Sequence, residues 1–480
     1  MTPSFRASLA RFRGFSRNVW LYLISNTIQS VTAGAAGVLY TLFLNNLHYG
    51  LTFIGGTLFI ATAGGALAIL PASALTRRLG WRAMLLWSDY IGGVAIFLQI
   101  IAPVRWVILL TSLGVGASVA IFLVLNGPFL AACSAPEQRN AIFGVNNACA
   151  WLAAVIGALL GGLLPLWLEG VNGPGAPSGP LAWLAPLVTA ARPLLLADAQ
   201  ARVYQVAMLL SGVIALPSII PVYLMRHLPA PPSLPREPMV ATAPQGSRQE
   251  AHSHRSLRGL SYELKALRAR LAARLPDARE IATGLVGRFA CSQMLVGLGA
   301  GLIFPFMNIY FVDHLHTTTA YYGALTSAVT AGLALVSLIS APLADRFGQM
   351  RLAITVQIAS LPLMALLGFV PILWVASVAY VLRSMLINTG SAPEQAWLMD
   401  ATEPERRVLA SNIYNVSWQG AWAVGAALGG GLISVAGYGS AFASATILYT
   451  LSAILMILWL LPKRSATKPV IEQAEERAVL

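Results

Sequence analysis

The sequence predicts an all-α polytopic membrane protein of twelve transmembrane helices, arranged as two parallel six-helix repeats with both termini in the cytoplasm. Three observations predict this fold class. Of the 480 residues, 57% are hydrophobic and only 10% are charged, and the mean hydropathy is +0.70, whereas soluble domains carry about 25% charged residues. The apolar residues fall in long runs, and these runs recur in two related halves. The basic residues concentrate in alternate connections between the runs.

Twelve apolar runs have the length of a membrane span. The hydrocarbon core of a bilayer is about 30 Å thick and needs about 20 apolar residues per helix. A backbone in lipid must satisfy its own hydrogen bonds, so the runs are predicted to be helices rather than strands. Their approximate bounds are 19–44, 51–76, 83–102, 106–133, 141–168, 202–226, 284–311, 320–344, 352–370, 372–399, 408–436 and 439–461.

The net charge of +13 is a topology signal rather than a sign of nucleic-acid binding. The Lys and Arg residues lie in the two termini and in the connections that follow even-numbered runs, with five exceptions. These are Arg105, Arg192 and Arg202 on the opposite side, and Arg288 and Arg383 within runs. The positive-inside rule then predicts cytoplasmic termini. We expect a multi-pass protein of the plasma (inner) membrane with the lipid bilayer as its partner and no nucleic-acid partner.

The three cysteines, Cys133, Cys149 and Cys291, lie in or at the end of apolar runs. Their spacing matches neither a metal site nor a disulfide framework, so we predict no metal and no cofactor. The basic start of the chain leads into a span too long for a cleavable signal peptide.

A short charged turn that ends in glycine occurs twice, as Leu75–Gly80 between runs 2 and 3 and as Leu343–Gly348 between runs 8 and 9. Other residues recur at the same spacing. Around the first connection, the matches are Phe43 with Phe311, Leu47 with Leu315, His48 with His316 and Gly55 with Gly323. In the loop after the fourth run of each half, they are Pro136 with Pro404, Glu137 with Glu405 and Arg139 with Arg407. In the fifth run of each half, they are Asn147 with Asn415, Gly157 with Gly425, Ala158 with Ala426, Gly161 with Gly429 and Gly162 with Gly430. Each half has an even number of spans, so the copies share one orientation. Parallel repeats of this kind place a binding site near the midplane between the halves.

The repeat divides the chain into segments. They are an N-terminal cytoplasmic tail (1–18), a first six-helix half (19–226), a cytoplasmic linker (227–280), a second half (281–462) and a C-terminal cytoplasmic tail (463–480). Within the linker, residues 256–275 have the pattern of a basic amphipathic helix on the inner leaflet, and a calmodulin-like partner site is the alternative. The outer segment 169–201 lies on the membrane surface or caps the outer mouth.

Neutral polar side chains inside the spans are the candidates for solute binding. Asn26, Gln29 and Ser30 share one helix face, for which interhelical packing hydrogen bonds are the alternative explanation. Arg383 lies near the midplane, where an arginine costs about 2.5–3.5 kcal/mol by the mildest scale, so it must face water, a partner or a substrate. The full set of cavity candidates is Asn26, Gln29, Asn126, Gln293, Asn308, Arg383 and Asn388. Amides suit hydroxylated or amphipathic solutes, and Arg383 suits an anionic group.

Two acidic residues inside the spans, Asp89 and Glu394, are the candidates for proton coupling, because an intramembrane ionisable residue is a functional candidate by default. Asp89 lies about 12 Å into its span, and pairing with an arginine such as Arg82 is the structural alternative, which we favour. Neither acid is at the midplane, so the sequence itself does not support coupling.

The second-half turn resembles a family motif. Asp345, Arg346 and Gly348 match the D-R-x-G centre of the loop motif of the major facilitator superfamily of secondary transporters, and the resemblance extends over about residues 18–462. Gln349 stands where the family often has a basic residue, and Arg77 replaces the acidic residue in the first half. The resemblance implies alternating access by rocking of the halves, with runs 1, 4, 7 and 10 lining the cavity.

Two further stretches resemble family motifs. Arg383 resembles the arginine of a second motif but lies in the second half, where the first-half equivalent is Val115. The stretch Gly157–Gly162 resembles the span-5 motif of antiporters, with Ala158 in place of proline. This difference weakens an antiporter assignment.

The charged turns suggest a gating latch at the cytoplasmic side. Gly348 permits a tight turn, Asp345 can accept from a neighbouring helix N-terminus, and Arg346 can bridge to an acid such as Asp400. The gating candidates are Asp345, Arg346, Gly348, Arg78, Gly80 and Asp400. The alternative, that these charges only mark topology, applies best to Arg77 and Arg78.

The predicted function is secondary active transport of a small organic solute by alternating access, with drug or metabolite efflux first and an uptake permease for a metabolite or an anionic solute as the alternative. The sequence contains no HExxH or GxSxG motif, which argues against a membrane-embedded enzyme, and twelve spans in repeated sixes fit a carrier better than a channel. The expected partners are the solute and a coupling proton or other ion. The oligomeric state is left open by the sequence, and a monomer is compatible with it.

Overall fold

The computed structural model describes residues 15–134, 138–172, 177–226, 284–403 and 406–461, and within these ranges the chain is helical with no strand. Twelve long helices follow one another along it. They are α1 (Arg17–Asn46), α2 (Leu51–Leu79), α3 (Trp81–Ile101), α4 (Arg105–Ala132), α5 (Arg139–Asn172), α6 (Ala199–Leu224), α7 (Leu285–His314), α8 (Thr319–Phe347), α9 (Gln349–Phe369), α10 (Leu373–Asp400), α11 (407–436) and α12 (438–460).

The number of membrane-length helices agrees with the prediction. Ten stretches of the described chain are long and apolar enough to cross a membrane. One of them, Leu409–Leu460, has 52 residues and breaks at Gly437, whose φ is 76°, so it contains both α11 and α12. The helix α10 is not among the ten, although it has 28 residues. The twelve-helix fold is therefore confirmed, while the cytoplasmic location of the termini stays a prediction.

Two of the helices are irregular, and a proline lies in the 3₁₀ turn of each. The helix α6 passes through a 3₁₀ turn at Leu216–Ser218, and α7 passes through one at Phe304–Phe306 before ending in a π turn at Tyr310–His314. Pro217 and Pro305 lie in these 3₁₀ turns. Proline has no backbone N–H to donate, and its ring clashes with the preceding turn of an α-helix.

The two halves have the same backbone conformation at positions 268 residues apart, the spacing that also separates Asn45 from Asp313. Gly80 and Gly348 have φ values of 82° and 86°, and each ends one helix and begins the next. His48 and His316 have φ values of 61° and 54°. These conformations are costly for most side chains but open to glycine and more accessible to histidine than to bulky residues. The repeat therefore fixes turn geometry as well as sequence.

The two halves pack through glycines at equivalent positions, on α5 against α8 and on α11 against α2. A Cβ added to Gly323 would lie 2.7 Å from the Gly162 Cα atom and 2.7 Å from the Ala158 carbonyl oxygen. The equivalent contact in the other pair is closer still: a Cβ on Gly55 would collide with the Ala426 carbonyl oxygen. Small residues of this kind allow two helix backbones to approach closely in a membrane.

Hydrogen bonds between the halves lie toward one end of the bundle. We call the end at which α1 begins the terminus end, and the opposite end, where α1 leads into α2, the far end. The far-end hydrogen bonds are Asn45 Nδ2 to Asp313 Oδ2 (2.6 Å), Asn308 Nδ2 to the Val38 carbonyl (3.1 Å) and to Thr41 Oγ1, Tyr204 with Thr319 through their hydroxyls (3.0 Å), and Ser327 Oγ to the Val155 carbonyl (2.9 Å). Asn45 and Asp313 are equivalent in the repeat, so they meet on its pseudo-twofold axis. The halves are thus joined at the far end.

The segment 177–198 lies against the first half at the far end. One side of its short helix Ala185–Ala190 is buried through Val188, while Leu187 on the other side is 67% exposed. Its end is tied to α6, because the Leu196 N–H donates to Gln205 Oε1 at 2.8 Å. Asp198 then caps α6 by accepting from the Ala201 N–H at 2.7 Å.

Several predicted features lie outside the described residues. They are the N-terminal tail up to residue 14, the linker at 227–283 with the predicted amphipathic helix at 256–275, the C-terminal tail from residue 462, and the loop residues 135–137 and 404–405. The domain boundaries that these segments define stay predictions.

The glycine contact between α2 and α11 gives a stability prediction. Gly55→Val places branched carbon atoms against the Ala426 backbone, whereas a Cβ on the adjacent Gly56 meets no described atom within 4 Å. Overpacking costs about 1–3 kcal/mol, so Gly55→Val should lower the melting temperature of the purified protein in detergent, and Gly56→Val should not. Equal melting temperatures for the two variants would contradict the close-approach explanation.

Candidate functional site

Three side chains of α1 each donate a hydrogen bond to a polar side chain on a different helix of the first half. The pairs are Tyr22 with Asn126 of α4 (2.8 Å), Asn26 with Asn146 of α5 (2.8 Å), and Gln29 with Asp89 of α3 (2.8 Å). The sequence placed Asn26 and Gln29 on a shared polar face, and the structure shows that this face binds neighbouring helices. Among the three acceptors, Asn126 and Asp89 are only half-buried.

A related pair joins α7 to α10 in the second half. Gln293 of α7 donates from Nε2 to Glu394 Oε2 of α10 at 3.1 Å. Glu394 and Asn126 are equivalent in the repeat, so each half has an oxygen acceptor at this point, held by a donor on its first helix. The first half has a neutral amide there, whereas the second half has a carboxyl group, and the Glu394 side chain is buried.

The Asp89 carboxyl group is only partly satisfied. Its Oδ1 accepts from Gln29, while its Oδ2 is buried without a hydrogen-bond partner among the described residues. The favoured structural interpretation, in which Asp89 pairs with an arginine such as Arg82, is wrong, because Arg82 does not contact Asp89. That guanidinium instead lies over the Tyr223 ring of α6, 4.9 Å from its centroid. Asp89 is therefore held by an amide and not by a cation.

Neither in-span carboxyl group has a cationic partner among the described residues. Moving an isolated carboxylate into an apolar environment is costly unless the charge is paired or neutralised. In the described chain, Asp89 and Glu394 each receive one amide hydrogen bond and form no salt bridge. No group of three or more His, Cys, Asp or Glu residues in the described ranges could hold a metal ion.

Arg383 lies inside the second half rather than at the interface between the halves. Its side chain is 1% exposed, and its guanidinium carbon is 4.4 Å from the Phe304 ring centroid of α7 and 4.9 Å from that of Tyr449 of α12. None of Nε, Nη1 and Nη2 has a hydrogen-bond partner among the described residues. The expectation that Arg383 faces the shared cavity is replaced by an aromatic site within one half.

The remaining cavity candidates fall in different places. Asn308 belongs to the far-end contact between the halves, because it donates to the Val38 carbonyl of α1. Asn388 is exposed, and its Nδ2 donates to the Ser384 carbonyl of its own helix at 2.8 Å. The structure therefore brings Asn26, Gln29 and Asn126 together around α1, and it places the other candidates elsewhere.

The sequence reasoning missed several residues with clear structural roles. Asn45 with Asp313 forms the axial far-end contact, and comparison of the two halves at the repeat spacing would have found this pair. Tyr22, the donor to Asn126, and the two rings against Arg383 had no comparable sequence signal. Aromatic residues are frequent in all spans, and their partners depend on helix rotation.

The comparison with solved structures covers nearly the whole chain. A bacterial homolog of the human lysosomal transporter Spinster, in an inward-facing and unoccupied conformation, matches with a TM-score of 0.67 and 12% identity, covering 94% of this chain and 98% of the other. The nucleoside transporter NupG matches with a TM-score of 0.63 and 12% identity (93% and 98% covered). A D-xylose-proton symporter matches with a TM-score of 0.60 and 13% identity (95% and 98% covered). At these identities the matches show a shared fold.

A sequence model described as Major Facilitator Superfamily matches residues 289–480. The second half of the chain is therefore similar in sequence to this superfamily, and the chain as a whole is an integral, multi-pass membrane protein with membrane-length apolar helices. No curated protein matches the chain significantly.

The matched residues belong to the half that best retains the superfamily's loop motif. The matched range starts within α7 and includes Asp345 and Arg346, whereas the first-half turn has Arg77 in the acidic position. Both Asp345 and Arg346 are exposed at the terminus end of α8, and the Arg346 guanidinium lies 5.6 Å from the Phe347 ring centroid. The half with the stronger motif is thus also the half with the stronger sequence match.

The suggested bridge from Arg346 to Asp400 is replaced by another contact. Asp400 accepts from Gln349 Nε2 at 3.0 Å, which joins the start of α9 to the end of α10. Gln349 is the residue that departs from the superfamily's basic pattern, so an amide supplies the donor there. Arg78 of the first-half turn is exposed. The latch itself stays a prediction.

The pairing of Gln29 with Asp89 gives a testable coupling energy. Gln29→Leu removes the donor and leaves the half-buried Asp89 carboxyl group without its hydrogen bond, which costs about 1–3 kcal/mol. The double variant Gln29→Leu/Asp89→Leu should recover part of this loss, because neither partner is then left unsatisfied. Thermal unfolding of the single and double variants measures the interaction energy, and strictly additive effects would contradict the pairing.

Proposed function

We propose that this protein is a secondary active transporter of the major facilitator superfamily that moves a small organic solute by alternating access. The observation that carries the proposal is the far-end contact between the halves. It is made by residues that are equivalent in the repeat, Asn45 with Asp313, and by the two matching glycine contacts. Two similar bundles joined symmetrically at one end can rock about that contact around a central site.

The far-end contact consists of interactions that can break and re-form. Asp313 is exposed and Asn45 is half-buried, so water can replace their hydrogen bond when the halves separate. Hydrogen bonds to charged groups contribute about 1.5–3 kcal/mol, which is small enough for a solute or ion to offset. The glycine contacts need no side-chain rearrangement, because the surfaces that meet are backbone.

The charge distribution assigns a direction to this state. If the terminus end is cytoplasmic, as the positive-inside rule predicts, the far end is the outer face, and a transporter closed there faces inward. The similar Spinster homolog is described as inward-facing and unoccupied, which supports this assignment.

The solute is proposed to be a small organic molecule with hydroxyl or amphipathic character. Asn26, Gln29 and Asn126 supply amides around α1, and the structural neighbours include transporters of a nucleoside and of D-xylose. Export of a drug-like compound or metabolite is the first direction to test. Import of a metabolite or an anionic solute is the alternative, which the neighbouring D-xylose-proton symporter favours.

Asp89 and Glu394 are the proposed coupling groups. Each is a carboxyl group within a span that receives one amide hydrogen bond, and one structural neighbour is described as a proton symporter. A protonated carboxyl group is neutral and needs no cation beside it. Protonation of Asp89 or Glu394 would therefore be linked to the packing of α1 on α3 or of α7 on α10.

Cross-linking the far end tests alternating access. In a background without Cys133, Cys149 and Cys291, the pair Asn45→Cys and Asp313→Cys should form a disulfide that holds the far end closed, because the two residues face each other across the contact between the halves. Flux of uridine, D-xylose and ethidium into or out of proteoliposomes is the measurement. We expect saturable flux of at least one probe, its loss on oxidation, and its recovery on reduction.

The two single cysteine variants are the controls and should be insensitive to oxidant. Full flux through the cross-linked protein would refute rocking at the far end. A non-saturating ionic current without solute exchange would indicate a channel instead.

The terminus-end latch gives a second functional prediction. Asp345→Asn removes the charge at the end of α8 while keeping the shape of the side chain. Losing a charge-assisted contact of about 1.4 kcal/mol corresponds to a tenfold change in rate, so we expect solute flux to slow by about tenfold with unchanged membrane insertion. The matched control is Glu169→Gln, which removes an exposed acid near the far end of α5 and should transport normally. Unchanged flux in Asp345→Asn would contradict the latch.

A further inference from the structure

One face of α5 changes from buried to exposed along its length. Near the far end, Ala158 and Gly162 on this face are buried, and both lie against Gly323 of α8. Toward the terminus end, the same face carries Asn147 and Trp151, which are exposed. Steps of four, seven and four residues separate these four positions of α5, and such steps keep side chains on one side of a helix. The halves therefore separate along this face, and Trp151 and Asn147 lie about 10 Å and about 16 Å beyond Ala158 by helical rise.

The equivalent face of α11 changes in the same way. Ala426 is buried where it meets α2, whereas Asn415 and Gln419, nearer the terminus end on the same face, are exposed. Asn415 is equivalent to Asn147 in the repeat, and Gln419 is equivalent to Trp151. The repeat axis relates α5 to α11, so the two exposed stretches lie on opposite sides of the opening between the halves. We call these four exposed residues the α5/α11 set.

The exposed polar face of α5 differs from its lipid-facing side. Leu152, Ile156 and Leu159 are 64%, 54% and 38% exposed, and they form an apolar face that continues toward the far end beside the contact with α8. Asn147 lies instead on the side of α5 that meets the other half, where a polar side chain within a span faces a partner or a water-filled cavity. A Cβ added to Gly144, three residues before Asn147 on this side, would meet no described atom within 4 Å. The α5/α11 set therefore lines the opening between the halves.

The amides of this set are available to a solute, unlike those around α1. Asn26 and Gln29 donate hydrogen bonds to side chains of neighbouring helices, so a solute that used these donors would have to replace those contacts. The Asn147 and Gln419 amides have no hydrogen-bond partner among the described residues. The Asn415 Nδ2 atom donates within its own helix, so this amide does not join α11 to another helix.

The chemistry of the set favours an uncharged solute with a ring. None of its four side chains is ionisable, and each of its three amides offers both a donor and an acceptor. Trp151 is 40% exposed and presents a flat apolar ring with one N–H donor. A ring with hydroxyl or amide groups at its edge matches both features, because its face can pack on the indole while its edge reaches the amides. A charged group would find no counterion in this set to offset its loss of hydration.

We propose that Asn147 and Trp151 of α5, together with Asn415 and Gln419 of α11, bind the transported solute, and that this solute is an uncharged, ring-bearing molecule with several hydrogen-bonding groups. The inference rests on the proposed function and narrows its solute to one chemical class. It also adds α5 and α11 to the runs that the family resemblance implies as cavity lining. A solute held there contacts both halves, which gives it different affinities for the open and closed arrangements.

Cysteine labelling tests whether the set faces water. In the background without the three native cysteines, Asn147→Cys and Asn415→Cys should react with a charged, membrane-impermeant maleimide in open membrane fragments. The matched controls are Leu152→Cys and Val416→Cys, at neighbouring lipid-facing positions that are 64% and 70% exposed. They should react about tenfold more slowly, because a thiol in hydrocarbon meets little charged reagent and forms little thiolate. Equal reaction rates at the set and control positions overturn the proposal.

Binding to the purified full-length protein tests the solute class. Uridine and D-xylose are the ring-bearing probes, and isothermal titration measures their dissociation constants. Uridine 5′-monophosphate is the charged match of uridine, and xylitol is the open-chain match of D-xylose. At least one ring-bearing probe should bind, and it should bind about tenfold more tightly than its match. Absence of binding by both ring-bearing probes overturns the proposal, and so does equal or tighter binding of the matches.

Substitutions in the set connect the binding to these side chains. Trp151→Leu removes the flat ring and Gln419→Leu removes an amide, and each should weaken binding of the bound probe by about tenfold. Trp151→Phe keeps an aromatic face and should retain most of the affinity. Both positions are exposed, so the variants should fold, and their melting temperatures without probe check this. The control Leu152→Ala should leave binding unchanged, and unchanged binding in Trp151→Leu and Gln419→Leu overturns the proposal.

Failure of the transport proposal has a different signature. Loss of solute flux in every condition, with Trp151-dependent binding intact, would refute transport and leave the binding site standing. Saturable flux that is the same in Trp151→Leu, Gln419→Leu and the unsubstituted protein would refute this site and leave transport standing.

Discussion

The close backbone contact between helices of opposite halves is the constraint on which the arrangement depends. Lipid tails are as apolar as the helix surfaces, so helices in a membrane associate mainly through close packing and interhelical hydrogen bonds. Gly323 against Ala158, and Gly55 against Ala426, provide this packing twice, at positions equivalent in the repeat. A side chain at either glycine would separate the halves just where they meet, and the axial contact of Asn45 with Asp313 would be lost with them.

The repeat gives the two halves one backbone but different chemistry. Gly80 and Gly348 have nearly the same φ, and Asn126 and Glu394 accept hydrogen bonds at equivalent places. The side chains at other equivalent positions diverge, since Arg383 stands opposite Val115 in the repeat. The symmetric features include the glycine contacts that join the two halves, whereas the buried charges break the symmetry.

Much of the fold followed from the sequence, and less of the site did. The helix α10 was predicted at 372–399 and occurs at Leu373–Asp400 in spite of its two buried charges, because chain length and flanking turns still mark a span. The contacts expected for Arg82 and Arg346 were wrong. Arg82 lies over Tyr223, and Gln349 takes the place of Arg346 at Asp400, since long exposed side chains choose partners from the helices packed beside them.

The sequence by itself determined the number of spans, their approximate ends and the twofold repeat, because the thickness of the bilayer and its lack of hydrogen-bonding groups act on each segment separately. Only the tertiary structure decided what each buried polar group faces. A helix that is apolar nearly all round carries little periodic signal for its rotation about its own axis. Packing therefore turned Arg383 toward Phe304 and Tyr449 within one half. Its position near the midplane had alone suggested that it faces the cavity between the halves.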